Sequence, residues 1–162
     1  MSQATLLIVD NDSNVRESLV KDVLEPAGYK VIAAGSLEEA EQALLGEELI
    51  HLSILDIRLM NDDDQNDRSG IELSQQIDPL IPQLFLTAYK PELFPGLSTD
   101  RVPIDTGSGF REVFLVSKTE GPEALLDRID RILSERYREV LPWKRIAVLT
   151  SGGDSPGMNA AI

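Results

Sequence analysis

The sequence contains no cysteine, a single histidine and few aromatic residues, which make up 5% of its 162 positions. The absence of cysteine excludes disulfide bonds and thiolate zinc sites, and it permits a cytoplasmic location. No apolar run approaches the roughly 20 residues that a membrane-spanning helix needs. The first apolar run, 4–9, lacks the basic lead and the cleavage site of a signal peptide. We therefore expect a cytoplasmic protein with no membrane partner.

Basic residues are also scarce: 15 lysines and arginines face 28 acids, which gives a net charge of −13. Such a surface repels phosphate backbones, so we expect no nucleic-acid partner. Four of the acids fall within residues 61–67, and such a run of charges is typical of a solvated loop. His51 stands alone before a predicted strand and is interpreted as a surface residue.

Short apolar runs alternate with segments of helical periodicity. The strands are predicted at 5–9, 30–34, 52–57, 83–86 and 113–116, and the helices at 13–24 and from Ser36, Ser69 and Pro122 onward. This order predicts an α/β fold, a doubly wound five-stranded parallel sheet with helices on both faces. Residues 88–112 are rich in proline and glycine, so that at most an irregular fourth helix is expected there.

Polar residues stand at or just past the ends of four of the predicted strands, at the edge where such sheets bind ligands. They are Asp10-Asn11-Asp12, Asp56, Thr87 and Lys118. A carboxylate can accept a phosphoryl group as a nucleophile, and the transfer needs a divalent cation and a fixed positive charge. Asp10, Asp12 and Asp56 offer oxygen ligands to Mg²⁺, while Lys118 and Thr87 offer an ammonium and a hydroxyl to the phosphoryl oxygens.

Five sequence motifs carry a family resemblance: LLIVDND (6–12), SILDIRL (53–59), SGIEL (69–73), LFLTA (84–88) and VSK (116–118). Together they resemble the receiver domain of two-component response regulators, which has a flavodoxin-like fold. The resemblance implies that Asp56 is the phosphoacceptor, assisted by Thr87 and Lys118. It implies a Mg²⁺ pocket of Asp10, Asn11 and Asp56, with Asp12 following and the backbone carbonyl of Arg58 as a further ligand. The implied partners are a sensor histidine kinase or a small phosphodonor, and a second copy in a homodimer.

The chain departs from the receiver pattern in several places. Asn11 replaces an acid, the loop after Asp56 is long and acidic, Leu115 takes the place of an aromatic switch residue, and Thr119 replaces a proline. These changes keep open a degenerate receiver that acts as a docking or dimerisation module. A third reading is a phosphatase of the haloacid-dehalogenase type that uses Asp10 as its nucleophile, but it leaves Asp56 unexplained.

The last residues form a separate pattern. A predicted strand at 144–149 is followed by TSGGDSPGMNAAI, a glycine turn of the kind that holds phosphates, although it is not a Walker loop. This segment resembles the amino terminus of 6-phosphofructokinases, in which Gly152 and Gly153 would face the nucleotide phosphates of an intact kinase domain. We expect a receiver domain at 1–140, a linker at 141–144 and a phosphofructokinase-like fragment at 145–162. The chain itself is then a regulatory domain, not an enzyme, cut from a fusion with a C-terminal sugar kinase that it regulates.

Overall fold

The structure is a computed structural model that describes residues 4–61, 63–64, 66–88, 101–105 and 109–137. The predicted linker at 141–144 and the phosphofructokinase-like segment with Gly152 and Gly153 lie outside these residues. Within them, no helix combines the length and the apolar character that crossing a membrane requires.

A six-stranded sheet forms the centre of the molecule. Its strands are β1 (Thr5–Val9), β2 (Lys30–Ala34), β3 (Leu52–Leu55), β4 (Gln83–Thr87), β5 (Arg101–Asp105) and β6 (Phe110–Ser117). They lie in the order β2-β1-β3-β4-β6-β5, and all neighbours are parallel except the pair of β5 and β6. The predicted doubly wound sheet of five parallel strands is thereby confirmed.

The sixth strand, β5, was not predicted from the sequence. It runs antiparallel to β6, and its buried Val102 lies opposite the buried Val113. Pro103 is compatible with this position because an edge strand has one side without a partner strand. The irregular helix expected within 88–112 does not occupy 101–105, and residues 89–100 lie outside the described part of the chain.

Helices cover both faces of the sheet. They are α1 (Ser13–Ser18), which continues as a π-helical segment (Leu19–Leu24), α2 (Leu37–Leu45), α3 (Ser69–Gln76) and α4 (Pro122–Tyr137). Alternate strand residues face opposite sides: Leu7 and Val9 of β1 pack with α2 and α3, whereas Leu6 and Ile8 pack with the π-helical segment and α4. Each face of the sheet therefore has its own apolar core, and the carboxyl edge of the parallel strands remains for polar groups.

The end of α4 is tied to the opposite, amino edge of the sheet. The Tyr137 hydroxyl donates to the carbonyl oxygen of His51 at 2.8 Å, just before β3 begins. Arg136 donates from Nε and Nη2 to the carbonyl oxygen of Leu80 at 3.2 and 3.0 Å. α4 thus runs back along the sheet from the carboxyl edge to the amino edge.

Candidate functional site

Two buried carboxylates meet at the carboxyl edge of the sheet. Asp10 and Asp56 directly follow the neighbouring strands β1 and β3, and they are 2% and 3% exposed. Their backbones are fixed by the sheet, since the Asp56 N–H donates to Val9 at 2.9 Å and the Asp10 N–H donates to Ala34 at 3.1 Å. Two such carboxylates in a buried place require positive partners.

Lys118, one of the site residues expected from the sequence, is that partner. Its ammonium lies 2.8 Å from Oδ2 of Asp10 and 3.3 Å from Oδ2 of Asp56. Burial lowers the pKa of Lys118, but the carboxylates of Asp56 and Asp10 outweigh that effect and raise the pKa. Lys118 therefore stays charged and holds both carboxylates at one point.

A short capped turn places Lys118. Ser117 precedes a 3₁₀ turn at Lys118–Glu120, its hydroxyl accepts the N–H of Thr119 at 3.3 Å, and Glu120 accepts the N–H of Ser117 at 2.6 Å. The peptide bonds of this turn are trans. Thr119 in place of proline is thus accommodated, because a capping box orients the turn instead.

The two residues after Asp10 have different surroundings. The side-chain oxygen of Asn11 is buried and has no hydrogen-bond partner among the described residues. Asp12 is the N-cap of α1, where its Oδ1 accepts the N–H groups of Asn14 and Val15 at 2.9 and 3.2 Å. No group of three acidic or histidine side chains suited to a metal occurs in the part of the chain that the structure describes. The expected trio of Asp10, Asp12 and Asp56 is therefore not formed.

The remaining oxygen ligands are of the kind that a hard divalent cation prefers. A buried amide oxygen without a partner at Asn11 lies next in sequence to Asp10, whose carboxylate shares Lys118 with Asp56. Mg²⁺ prefers oxygen ligands of this kind and keeps part of its water shell. Binding a cation would satisfy the Asn11 oxygen and neutralise the excess negative charge of the carboxylates.

Thr87 and Leu115 lie on the neighbouring strands. Thr87 is fully buried at the end of β4 and is paired in the ladder with Ser117, one residue before Lys118. Leu115 is 1% exposed and lies opposite Phe85 within the apolar core. Thr87 is therefore placed at the same edge as the carboxylates, while Leu115 serves as a core residue.

Two further residues shape the site and were not predicted from the sequence. Arg16 donates from Nη1 to the backbone oxygen of Asp10 at 2.6 Å, which ties α1 to the backbone at the end of β1. Gly70, at the start of α3, lies so close to the backbone that follows β3 that a Cβ there would lie 1.9 Å from the carbonyl oxygen of Asp56. The motif SGIEL contained a signal for Gly70, whereas nothing in the sequence distinguished Arg16 from other helix residues.

The acidic run that follows Asp56 contains both exposed and buried acids. Asp63 and Asp64 are exposed, as expected for a solvated loop. Asp67 is 9% exposed, which the charge pattern did not predict. Burial raises the pKa of Asp67, but hydrogen bonds from Ser69, Asn61 and Met60 together lower that pKa below its ordinary value. Asp67 therefore remains ionised and belongs to the internal structure of the loop.

Comparison with solved structures places this fold among receiver domains. The chain is similar to a response regulator receiver domain protein (CheY-like) from Methanospirillum hungatei JF-1, with 26% identity over 85% of this chain and 99% of that chain, and a TM-score of 0.60. It is also similar to a response regulator from Thermotoga maritima, with 23% identity over 82% of this chain and 99% of that chain, and a TM-score of 0.59. The chain is similar as well to the signal receiver domain of an HD domain-containing protein from Pseudomonas fluorescens Pf-5, with 22% identity over 85% of this chain and 100% of that chain, and a TM-score of 0.60. No family model matches the sequence.

The chain thus has the flavodoxin-like receiver fold, and its structural neighbours are regulatory receiver domains. This agrees with the expectation that the chain is a regulatory domain and not an enzyme. The comparisons give no support to a fused phosphofructokinase segment.

Proposed function

We propose that the chain is a phosphoacceptor receiver domain in which Asp56 accepts a phosphoryl group in the presence of Mg²⁺. The observation that carries the proposal is the ammonium of Lys118, held between the buried carboxylates of Asp10 and Asp56 at 2.8 and 3.3 Å. Phosphoryl transfer to a carboxylate needs a fixed positive charge and oxygen ligands for a divalent cation. Lys118 supplies that charge, and the two carboxylates supply oxygen ligands.

Each residue has a role in the transfer. A carboxylate oxygen of Asp56 attacks the phosphorus atom of the donor, a P–O bond forms, and the bond to the leaving group breaks with its electron pair. Lys118 moves its hydrogen bonds from the carboxylates to the transferred oxygens, where it balances their charge. The hydroxyl of Thr87 then donates to one of those oxygens.

The cation would be held by Asp10, Asn11, Asp56 and the backbone carbonyl of Arg58, and it would neutralise the charge that develops on the phosphoryl oxygens. Asp12 is left out of this set because its carboxylate caps α1. Asn11 supplies a neutral ligand where an acid would supply a charge. We therefore infer a weaker cation affinity than an all-carboxylate pocket would have.

The test is the intact mass of the protein after incubation with acetyl phosphate and Mg²⁺. We expect one added phosphoryl group on the wild type and none on Asp56→Asn. Asp63→Asn is the matched control, because it removes the same charge from an exposed acid of the nearby loop and should leave the adduct in place. An unmodified wild type would contradict the proposal and favour the degenerate docking module. An adduct that persists in Asp56→Asn and is lost in Asp10→Asn would favour the phosphatase reading.

We further propose a sensor histidine kinase or a small phosphodonor as the source of the phosphoryl group, and a second copy of the domain as a partner. The division into a receiver at 1–140, a linker at 141–144 and a phosphofructokinase-like segment at 145–162 rests on the sequence resemblance alone. Under this proposal the modification of Asp56 regulates a fused sugar kinase. Its test is the phosphofructokinase activity of the longer protein with and without Asp56→Asn, and equal activities under phosphorylating conditions would contradict it.

A further inference from the structure

Two side chains, Asp67 and Ser69, close the loop that follows Asp56. Asp67 binds Ser69, and Ser69 binds the backbone of Leu59, and we call this pair the Asp67–Ser69 relay. The hydroxyl of Ser69 lies 2.6 Å from Oδ1 of Asp67 and accepts the N–H of Leu59 at 3.0 Å. An ionised carboxylate only accepts, so the single hydroxyl proton of Ser69 must go to Asp67 and its lone pair to Leu59. The direction of the relay is thereby fixed.

Asp67 is itself held by the backbone. Its Oδ2 accepts the N–H groups of Met60 and Asn61 at 2.9 and 2.7 Å, and its Oδ1 also accepts the N–H of Ser69 at 2.9 Å. The carboxylate thus joins the first residues of the loop to the last, and neither oxygen can turn without losing a hydrogen bond. Charge-assisted hydrogen bonds of this kind are among the strong ones.

The relay determines the orientation of one peptide group. The N–H of Leu59 and the carbonyl of Arg58 belong to the same planar trans peptide, so the carbonyl points away from the hydroxyl that binds the N–H. On the other side of Arg58, the carbonyl of Ile57 accepts the N–H of Gly70 at 2.8 Å. Both peptide groups that flank Arg58 are therefore attached to the start of α3.

We propose that Ser69 and Asp67 are positioning residues that orient the backbone carbonyl of Arg58 as a ligand for Mg²⁺. The inference rests on the proposed function, since it assigns a purpose to one ligand of that site. Neither residue touches the cation; Ser69 acts through the peptide group and Asp67 acts through Ser69. Groups that orient the ligands of a metal typically change its affinity by about 10-fold to 100-fold when they are replaced.

The experiment compares Ser69→Ala, Asp67→Asn and the double variant with the wild type and Asp63→Asn. Titration calorimetry gives the Kd for Mg²⁺ alone, without phosphodonor, and amide hydrogen exchange followed by NMR gives the protection of the Leu59 N–H. We expect each single variant to raise the Kd by about 10-fold. The double variant should add little, because the two residues act in series. Leu59 should lose protection in the variants, while Asp63→Asn should keep the wild-type exchange rate and change the Kd less than about 3-fold.

The outcomes separate this inference from the proposed function. A folded Ser69→Ala that binds Mg²⁺ as tightly as the wild type overturns the inference alone. A wild type that binds Mg²⁺ but acquires no phosphoryl group overturns the proposed transfer and leaves the positioning role supported if the two Kd changes appear. A wild type that binds no Mg²⁺ overturns both. As a check against general loosening, strand amides remote from the loop should keep their protection in Ser69→Ala.

Discussion

Lys118 is the positive charge that two buried carboxylates share. Its ammonium lies 2.8 Å from Asp10 and 3.3 Å from Asp56, and it offsets the cost of burying two acidic side chains together. The sequence could predict this part of the site for a simple geometric reason. Residues that end parallel strands meet at one edge, whatever the details of the loops.

For His51 the prediction from the sequence failed: its interpretation as a surface residue was wrong. It is 9% exposed, and its Nδ1 accepts the N–H of Thr5 at 2.9 Å. The ring also contacts Tyr137 edge to face, with 5.5 Å between centroids. No local pattern reveals this burial, since it depends on where the end of α4 packs.

The burial of His51 leads to a pH dependence of stability. Burial lowers the pKa of His51 below its ordinary 6.5, although the nearby charge of Glu48 partly opposes this. The stabilisation from the neutral ring is complete above pH 6.5 and is lost as the pH falls towards the lower folded value. We expect the melting temperature of the wild type to fall over this window more steeply than that of His51→Gln. Tyr137→Phe is the control, because it keeps the imidazole; a wild-type slope equal to that of His51→Gln would rule the effect out.

At the scale of elements, the start of α3 lies so close to the backbone that follows β3 that only glycine fits at the point of contact. Gly70 donates its N–H to the carbonyl of Ile57 at 2.8 Å, and a Cβ at Gly70 would lie 1.9 Å from the carbonyl oxygen of Asp56. The first turn of α3 therefore packs directly against the backbone of Asp56. Any group larger than hydrogen at this position must push the helix away from the strand.

Gly70→Ala should consequently reduce both stability and phosphorylation. We expect a loss of about 2–4 kcal/mol in the free energy of unfolding, as for overpacking in a rigid interior. The measurement is urea denaturation, together with the acetyl phosphate labelling described above. Gly46→Ala is the control, since a Cβ there comes no closer than 3.3 Å to the carbonyl of Ala43. Equal denaturation midpoints for the two variants would show that α3 can shift at little cost.

The secondary-structure elements also differ in how well the sequence predicted them. Periodicity located the parallel strands because each is a short apolar run between polar residues, and β1 and β2 have the predicted bounds. β5 could not be predicted from the local sequence pattern. Its pairing with β6, in which Val102 lies opposite Val113, depends on tertiary packing. Asp12, expected as a ligand for Mg²⁺, is instead the N-cap of α1, because capping a helix and binding a metal call for the same side chain.

At the scale of the whole molecule, the net charge of −13 opposes the approach of anionic phosphodonors. Exposed charges lose their influence beyond the Debye length, which is about 10 Å at 0.1 M salt. The rate of labelling by acetyl phosphate should therefore rise with added potassium chloride when Mg²⁺ is kept saturating. Mass spectrometry of timed samples provides the rates.

Asp63→Asn combined with Asp64→Asn should increase the rate at low salt and reduce its dependence on salt, because both acids are exposed in the loop that follows the acceptor. A rate that decreases with salt would mean that local attraction at Lys118 and the cation outweighs the overall repulsion. A protein phosphodonor can carry basic residues that complement the acidic surface of this chain. The same negative charge that repels acetyl phosphate would then attract the protein donor.

The attachment of α4 has a consequence for communication over distance. The proposed acceptor, Asp56, lies at the carboxyl edge of the sheet, whereas α4 ends at Tyr137 on the amino edge, beside His51. A five-residue strand such as β4 measures about 16 Å, so the end of α4 lies at a distance of that order from Asp56. Under the proposed function, phosphorylation of Asp56 therefore cannot reach the end of α4 by direct contact. An effect there would require a displacement of the whole α4 helix, and that displacement would have to break the hydrogen bonds of Arg136 and Tyr137 to the backbone oxygens of Leu80 and His51.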